Sequence, residues 1–176
     1  MEHIEIRRPR VEDQEPLHQF FEMVIKDTFA KEGLAEWHED IVDEIETKKR
    51  YLKKDLESNG TYRFFLLAMI DDTIVGTIEC GGASLLIEKS TKGELKNWLE
   101  VGTVFVHPDF QRRGIGNLLL NKMFTVLKEN GYKEICLDSG YSIAQKIWTK
   151  KFGEPDYFFE NFWGKGMHHM IWKVTL

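Results

Sequence analysis

The stretch Val104-Phe-Val-His-Pro-Asp-Phe-Gln-Arg-Arg-Gly-Ile-Gly116 decides how this chain is read. An apolar run ends at Val106, Pro108 turns the backbone, and Gln111-Arg-Arg-Gly-Ile-Gly116 opens onto Asn117 and Leu118-Leu-Leu120. Beyond it Ile115, Leu119, Met123, Val126 and Leu127 recur at helical spacing until Asn130-Gly131 supplies a stop. The pattern is strand, loop, helix. The first N–H groups of a helix lack internal partners, and the helix dipole favours an anion at that end. Glycine at 114 and 116 lets an anion approach the backbone with no Cβ in the way. Arg112 and Arg113 add positive charge beside the same amides. These parts suit a pyrophosphate. A Walker loop is excluded because Asn117-Leu118 follows Gly116 where Lys-Ser/Thr is required. A dinucleotide fingerprint is excluded because Arg112 stands where its earlier glycine belongs.

Working outward, His3 to Arg8 alternates as a first strand. A helix is predicted from about Asp13, with Pro16 in its first turn and Leu17, Phe20, Phe21, Val24 and Ile25 on one face, ending at Gly33. A second runs through Trp37, Ile41, Ile45, Leu52 and Leu56 to Ser58-Asn59-Gly60. Its outer face is dense in lysine and reads as solvated. Tyr62 to Ile70 and Thr73 to Ile78 flank Asp71-Asp72 as a hairpin. A polar stretch around Glu88 to Glu94 then leads to a strand over Trp98 to Val106. After the central helix come a strand at Glu134 to Asp138, a helix at Ala144 to Phe152, and two strands joined around Trp163 to Gly166. No repeat or linker interrupts the chain, so one domain over 1–176 is expected.

Composition narrows the class. The 176 residues are 42% hydrophobic and 30% charged with four prolines, which fits a folded domain with a real core. Cys80 and Cys136 each lie in an apolar strand-like run, as buried reduced thiols of a reducing compartment do. Met1 to Pro9 has no apolar signal region, and no apolar run is long enough to span a bilayer. A net charge of −5 argues against nucleic acid and is compatible with a cationic substrate. The expectation is a cytoplasmic protein with neither a membrane nor a nucleic acid partner. Oligomeric state, a homodimer included, stays open.

The quoted segment resembles motif A of the GNAT acyltransferases (Gln/Arg-x-x-Gly-x-Gly/Ala), and the element order along the whole chain is similar to that family's. The resemblance implies an α/β (α+β) fold, a mixed and mostly antiparallel central sheet flanked by helices in the order β-α-α-β-β-β-α-β-α-β-β. It implies acetyl-CoA as co-substrate, with the amides from Gln111 through Arg112, Arg113, Gly114, Ile115 and Gly116 to Asn117 around the pyrophosphate. The pantetheine would bond the backbone of Val104, Phe105 and Val106, where an amide would also serve the thioester oxygen as it gains charge. The reaction implied is direct acetyl transfer to an amine of a small-molecule or peptide acceptor.

A protonated amine must lose a proton before it attacks. Glu100 is the favoured base, four residues before Val104 and on the same face of a regular strand. Asp138 and Glu79, at strand ends, are weaker candidates. His168 and His169 are adjacent and face opposite sides of a strand, so one of them could reach the acceptor. No third ligand has fitting spacing, so no metal is expected. Where relatives carry Asn-x-x-Ala-x-x-x-Tyr, this chain has Tyr141-Ser-Ile-Ala-Gln-Lys-Ile-Trp148. Trp148 cannot protonate a thiolate as a phenol can, so Tyr141 or solvent is left as the acid. That departure keeps a non-catalytic acyl-CoA-binding domain open as the alternative. Gly76, Gly81, Gly82 and Ala83 keep transfer of a larger acyl group open. The segment from Ser84 to Trp98, with Trp37 and Trp163, is expected to border the acceptor.

Overall fold

The computed structural model describes residues 3–176. Met1 and Glu2, which begin the segment read as lacking a signal region, lie outside the described residues. The first half of the chain forms β1 (Ile4–Arg7), a 3-10 turn (Val11–Asp13), α1 (Gln14–Lys31), α2 (His38–Ser58), β2 (Arg63–Ile70) and β3 (Thr73–Gly82). Next come α3 (Leu85–Ser90), β4 (Leu99–Val106), a second 3-10 turn (Pro108–Phe110) and α4 (Ile115–Glu129). The chain ends with β5 (Glu134–Ser139), α5 (Ser142–Phe152), β6 (Tyr157–Gly164) and β7 (Met167–Thr175). Among the described residues the strands make one seven-stranded sheet in the order β1-β2-β3-β4-β5-β7-β6. This is the expected mixed α/β fold, with helices flanking a mostly antiparallel sheet in which β4 and β5 run parallel.

One element departs from the sequence reading. A helix, α3, precedes β4 and takes in the start of the polar stretch. Ser84 caps it, its Oγ accepting from Ile87 N at 3.3 Å. Ile87 and Leu95 are fully buried, so two apolar anchors fold the segment down while its charged residues point outward.

The chain forms two compact units. One runs to Cys80 and takes in Thr103–Val126, and the other comprises Gly81–Gly102 and Leu127–Leu176. In the first, β1 pairs antiparallel with β2 from Ile4↔Ile70 to Arg7↔Leu67. The apolar stripe of α1 is buried, and the ring of Phe21 meets Phe65 at 6.1 Å and Phe105 at 6.3 Å. Truncating such a wholly buried ring costs roughly 3–5 kcal/mol. Arg7 donates to Asp13 at 2.7 and 2.9 Å just ahead of α1, which holds that carboxyl below the usual carboxylate range. Asp55 of α2 is fully buried yet saturated. It pairs with Arg8 and accepts from Phe65 N at 2.6 Å, so its charge is compensated where water cannot reach.

In the second unit β5 pairs antiparallel with β7 from Glu134↔Thr175 to Ser139↔Met170. Cys136 and Ile171 make a core with Ile87 and Leu95, and Trp172 is buried with its indole donating to Gly153 O at 2.9 Å. The β6–β7 register breaks between Phe159↔His169 and Gly164↔Met167. Two steps on β7 there face five on β6, with Asn161 left-handed at φ 54°. Phe162 and Trp163 ride on that bulge.

Gly76 of β3 is a close-approach site. A Cβ there would lie 2.9 Å from Leu119 Cδ1, 3.0 Å from Ile115 Cγ2 and 3.2 Å from the Phe105 carbonyl oxygen. The room that glycine leaves is filled by the first turns of α4 and gives no space to a longer acyl chain, correcting that expectation at this position. Gly76→Val will cost about 1–3 kcal/mol by overpacking, measured by urea unfolding. Gly82→Ala, where a Cβ meets nothing within 4 Å, serves as the neutral control.

Candidate active site

The loop after β4 is anchored to β3 by one long-range bond and closed by local ones. His107 N donates to Val75 O at 2.9 Å, Phe110 N to His107 O at 2.8 Å, and Asp109 N to His107 Nδ1 at 3.1 Å. Gln111 is exposed, its side-chain amide donating to Val106 O at 3.3 Å and its carbonyl accepting from Lys31 Nζ at 3.1 Å. Arg112 (φ 61°) and Gly114 (φ 83°) are both left-handed, the alternation that turns successive amides into a concave donor surface. Helical bonding begins with Leu118 N to Gly114 O at 3.0 Å, so the amides of Ile115, Gly116 and Asn117 are the open donors of the first turn. The Ile115 side chain is buried and pins this end of α4, while Gly116 and Asn117 keep exposure. A Cβ on Gly116 would meet only Val106 Cγ2, at an ordinary contact distance of 3.8 Å, so the backbone there can be approached closely. Arg113 lies over the Phe110 ring at 4.9 Å. Open amides, adjacent guanidinium groups and a closely approachable backbone fit a pyrophosphate.

Upstream, Thr103 adopts φ 49° inside β4. A β-branched residue in that region is strained by about 1–3 kcal/mol and persists only when its neighbours impose it. Its carbonyl accepts from Thr77 Oγ1 at 2.9 Å, and its hydroxyl donates to Glu79 Oε1 at 3.2 Å. Glu79 is 1% exposed, its other oxygen taken by Arg63 at 2.9 Å, and the Arg63 guanidinium stacks 3.7 Å above Tyr51. Glu79 therefore holds Thr103 in its left-handed conformation, with both of its oxygens engaged. The left-handed residue also interrupts the alternation of β4. The inference that Glu100 shares a face with Val104 does not carry through it. Val104, Phe105 and Val106 follow Thr103, each half-buried.

In the second unit Glu100 pairs across with Cys136. Regular alternation on β5 puts Asp138 on the same face as Cys136. The Cys136 thiol is pushed up to about 12, mainly by burial and then by the Glu100 and Asp138 charges beside it. One Glu100 oxygen accepts from Ser84 N at 2.8 Å, which fixes the carboxylate. Asp138 Oδ2 lies 2.8 Å from His169 Nε2, and His169 Nδ1 accepts from the Trp163 indole at 3.1 Å. The two histidines do face opposite ways. His169 is 4% exposed, whereas half-buried His168 accepts from Asn161 N at 3.0 Å. Tyr141 is half-buried at the start of α5, its backbone N donating to Ser139 Oγ at 3.0 Å. Trp148 is buried and stacks on Phe152 at 5.8 Å, an apolar contact where relatives place a phenol. Trp37 precedes α2, 37% exposed.

The Asp138–His169–Trp163 connection is the part that sequence reasoning missed. Its members are up to 31 residues apart with no local pattern, so each could be named from the sequence on its own grounds but not joined to the others. Among the described residues no group of three or more His, Cys, Asp or Glu could hold a metal, and no helix is long and apolar enough to cross a membrane.

Residues 18–153 match the acetyltransferase (GNAT) family, and the chain belongs to it. No curated protein matches it in sequence. Solved structures share its fold. A GNAT-family protein from Desulfovibrio desulfuricans has TM-score 0.73 at 13% identity, covering 98% of this chain and 99% of that one. The ribosomal-protein-alanine N-acetyltransferase of Brucella melitensis reaches 0.70 at 19% identity with the same coverages. The PaiA N-acetyltransferase of Thermoplasma acidophilum, in complex with coenzyme A, reaches 0.66 at 24%, again over 98% and 99%.

The clamp on Thr103 gives a stability prediction. Glu79→Ala removes the carboxylate that the buried Arg63 guanidinium and the Thr103 hydroxyl share, so it will cost about 3–5 kcal/mol in urea unfolding. Thr77→Val, which removes a single neutral hydrogen bond, will cost about 1 kcal/mol.

Proposed function

We propose that this chain is an acetyl-CoA-dependent N-acetyltransferase, acting as one domain over 1–176 by direct attack of an amine in a ternary complex. The observation that carries the reading is the Gln111–Asn117 loop, whose open amides end a family-matched strand–loop–helix unit. That loop would hold the pyrophosphate through the amides from Gln111 to Asn117, with Arg112 and Arg113 adding charge. The backbone of Val104, Phe105 and Val106 would bond the pantetheine, and an amide there would steady the carbonyl oxygen as it gains negative charge. Bound acetyl-CoA supplies a thioester carbonyl carbon, to which the amine nitrogen bonds as the C–S bond breaks and coenzyme A leaves as its thiol.

Glu100 would take the proton that the ammonium must shed, its carboxylate held in place by the bond from Ser84 N. Tyr141 or solvent would return a proton to the departing sulfur. The neutral, buried Trp148 in place of a phenol favours a second reading, a domain that binds acyl-CoA without turning it over. Release of coenzyme A thiol with a panel of primary amines separates the two.

The cofactor assignment predicts that Gly116→Glu abolishes acetyl-CoA binding by calorimetry while unfolding stays as in wild type, since a Cβ there makes only an ordinary contact with Val106. Unchanged affinity would remove the loop from the cofactor site. For the base, Glu100→Gln will leave acetyl-CoA affinity in place and slow turnover at neutral pH by about 10²–10⁴. Raising the pH will recover part of that loss, because more acceptor arrives deprotonated.

A further inference from the structure

We propose that His169 and Trp163 are positioning residues that fix the Asp138 carboxylate as receptor for the ammonium group of the acceptor, an inference that rests on the transferase reading. The chemistry of the contacts settles the proton on the imidazole. An indole N–H can only donate. With Trp163 Nε1 3.1 Å from His169 Nδ1, that nitrogen carries a lone pair, and the ring proton sits on Nε2. Nε2 then donates to Asp138 Oδ2 at 2.8 Å. His169 is therefore held as a neutral ring in one tautomer. It orients the carboxylate without cancelling its charge, which an imidazolium would do.

The other Asp138 oxygen, Oδ1, has no hydrogen-bond partner among the described residues, and no lysine or arginine pairs with Asp138 there. The side chain keeps 21% exposure, enough for one ligand atom to reach it. A carboxylate in a largely apolar site is costly unless a cation or several donors compensate it. The single neutral donor leaves most of that cost to be met from outside the chain. A protonated amine meets it, and an alcohol of the same shape does not.

The surroundings are shaped to keep the arrangement. A Cβ on Gly140 would lie 2.7 Å from Trp163 Nε1 and 3.4 Å from His169 Nδ1, so glycine is what lets the indole reach the ring. Trp163 itself is 43% exposed. It rides on the β6 bulge and is turned onto His169, with Phe162 5.4 Å from the imidazole. Gln145 donates from one nitrogen to Ser139 O and His168 O, both at 2.9 Å, which ties the end of β5 to β7 beside the pair. Exposed rings next to a carboxylate also suit an ammonium, which gains on an aromatic face.

The test uses the full chain with coenzyme A present and n-butylammonium chloride as probe, n-butanol as the neutral comparison. The His169 ring is followed by long-range ¹H–¹⁵N correlation. The expected result is a neutral Nε2–H ring whose signals move with n-butylammonium and not with n-butanol. Asp138→Asn should weaken n-butylammonium by about tenfold or more, the scale of a hydrogen bond to a charged group, with acetyl-CoA affinity unchanged. Gly140→Ala, which pushes the indole off Nδ1, should mix the tautomers and weaken the amine while coenzyme A still binds. Trp163→Phe repeats that test without crowding if Gly140→Ala fails to fold. A protonated or Nδ1–H ring in wild type, or wild-type amine affinity in Asp138→Asn, overturns the proposal. If n-butylammonium binds through Asp138 and no amine releases thiol, the transferase reading fails and this site stands. If thiol is released and Asp138→Asn keeps the wild-type amine KM, the transferase reading stands and this site is wrong.

Discussion

A single residue held against its own preference organises the first unit. Thr103 is left-handed in the middle of β4, a conformation a β-branched residue does not choose. It is imposed by Thr77 on its carbonyl and Glu79 on its hydroxyl, and Glu79 is itself fixed by Arg63 stacked on Tyr51. Downstream of Thr103, Val104 to Val106 complete β4, His107 docks on Val75, and the chain enters α4 with three amides unspent. The local strain is small beside the buried polar network that enforces it, and the network would be wasteful if the strand had only to be straight.

The same logic recurs where charge is buried elsewhere. Asp55 is surrounded by the Arg8 guanidinium and the Phe65 amide, a closed set that leaves nothing for a ligand. Asp138 is the contrast, with one oxygen satisfied by a neutral ring and one left over. Complete compensation marks a carboxylate that serves the fold. Incomplete compensation in a partly exposed position marks one that serves something else.

What could be read from the sequence was what is local. The helices α1, α2 and α4 announce themselves by the spacing of their apolar residues, and the loop at 111–117 by two glycines beside two arginines. α3 was hidden because it is six residues long and buries only Ile87, too short to show a stripe, although Ser84 before three apolar residues was a cap signal. The left-handed Thr103 was hidden for a different reason. Gly102 weakens the strand without saying which residue turns, and the conformation of Thr103 is held by hydroxyl and carboxylate partners on β3. The tie between Asp138 and His169 likewise depends on β5–β7 pairing and on a register break in β6, which no periodicity reveals.

The two cysteines carry a consequence of their own. Both thiols are buried and pushed up to about 12, so in the folded protein neither is a useful nucleophile near neutral pH. Cys80 lies in one compact unit and Cys136 in the other. A thiol reagent can therefore reach each only when its own surroundings open. The chain thus carries two built-in reporters, and the ratio of their labelling rates under native conditions shows whether its halves loosen together or one at a time.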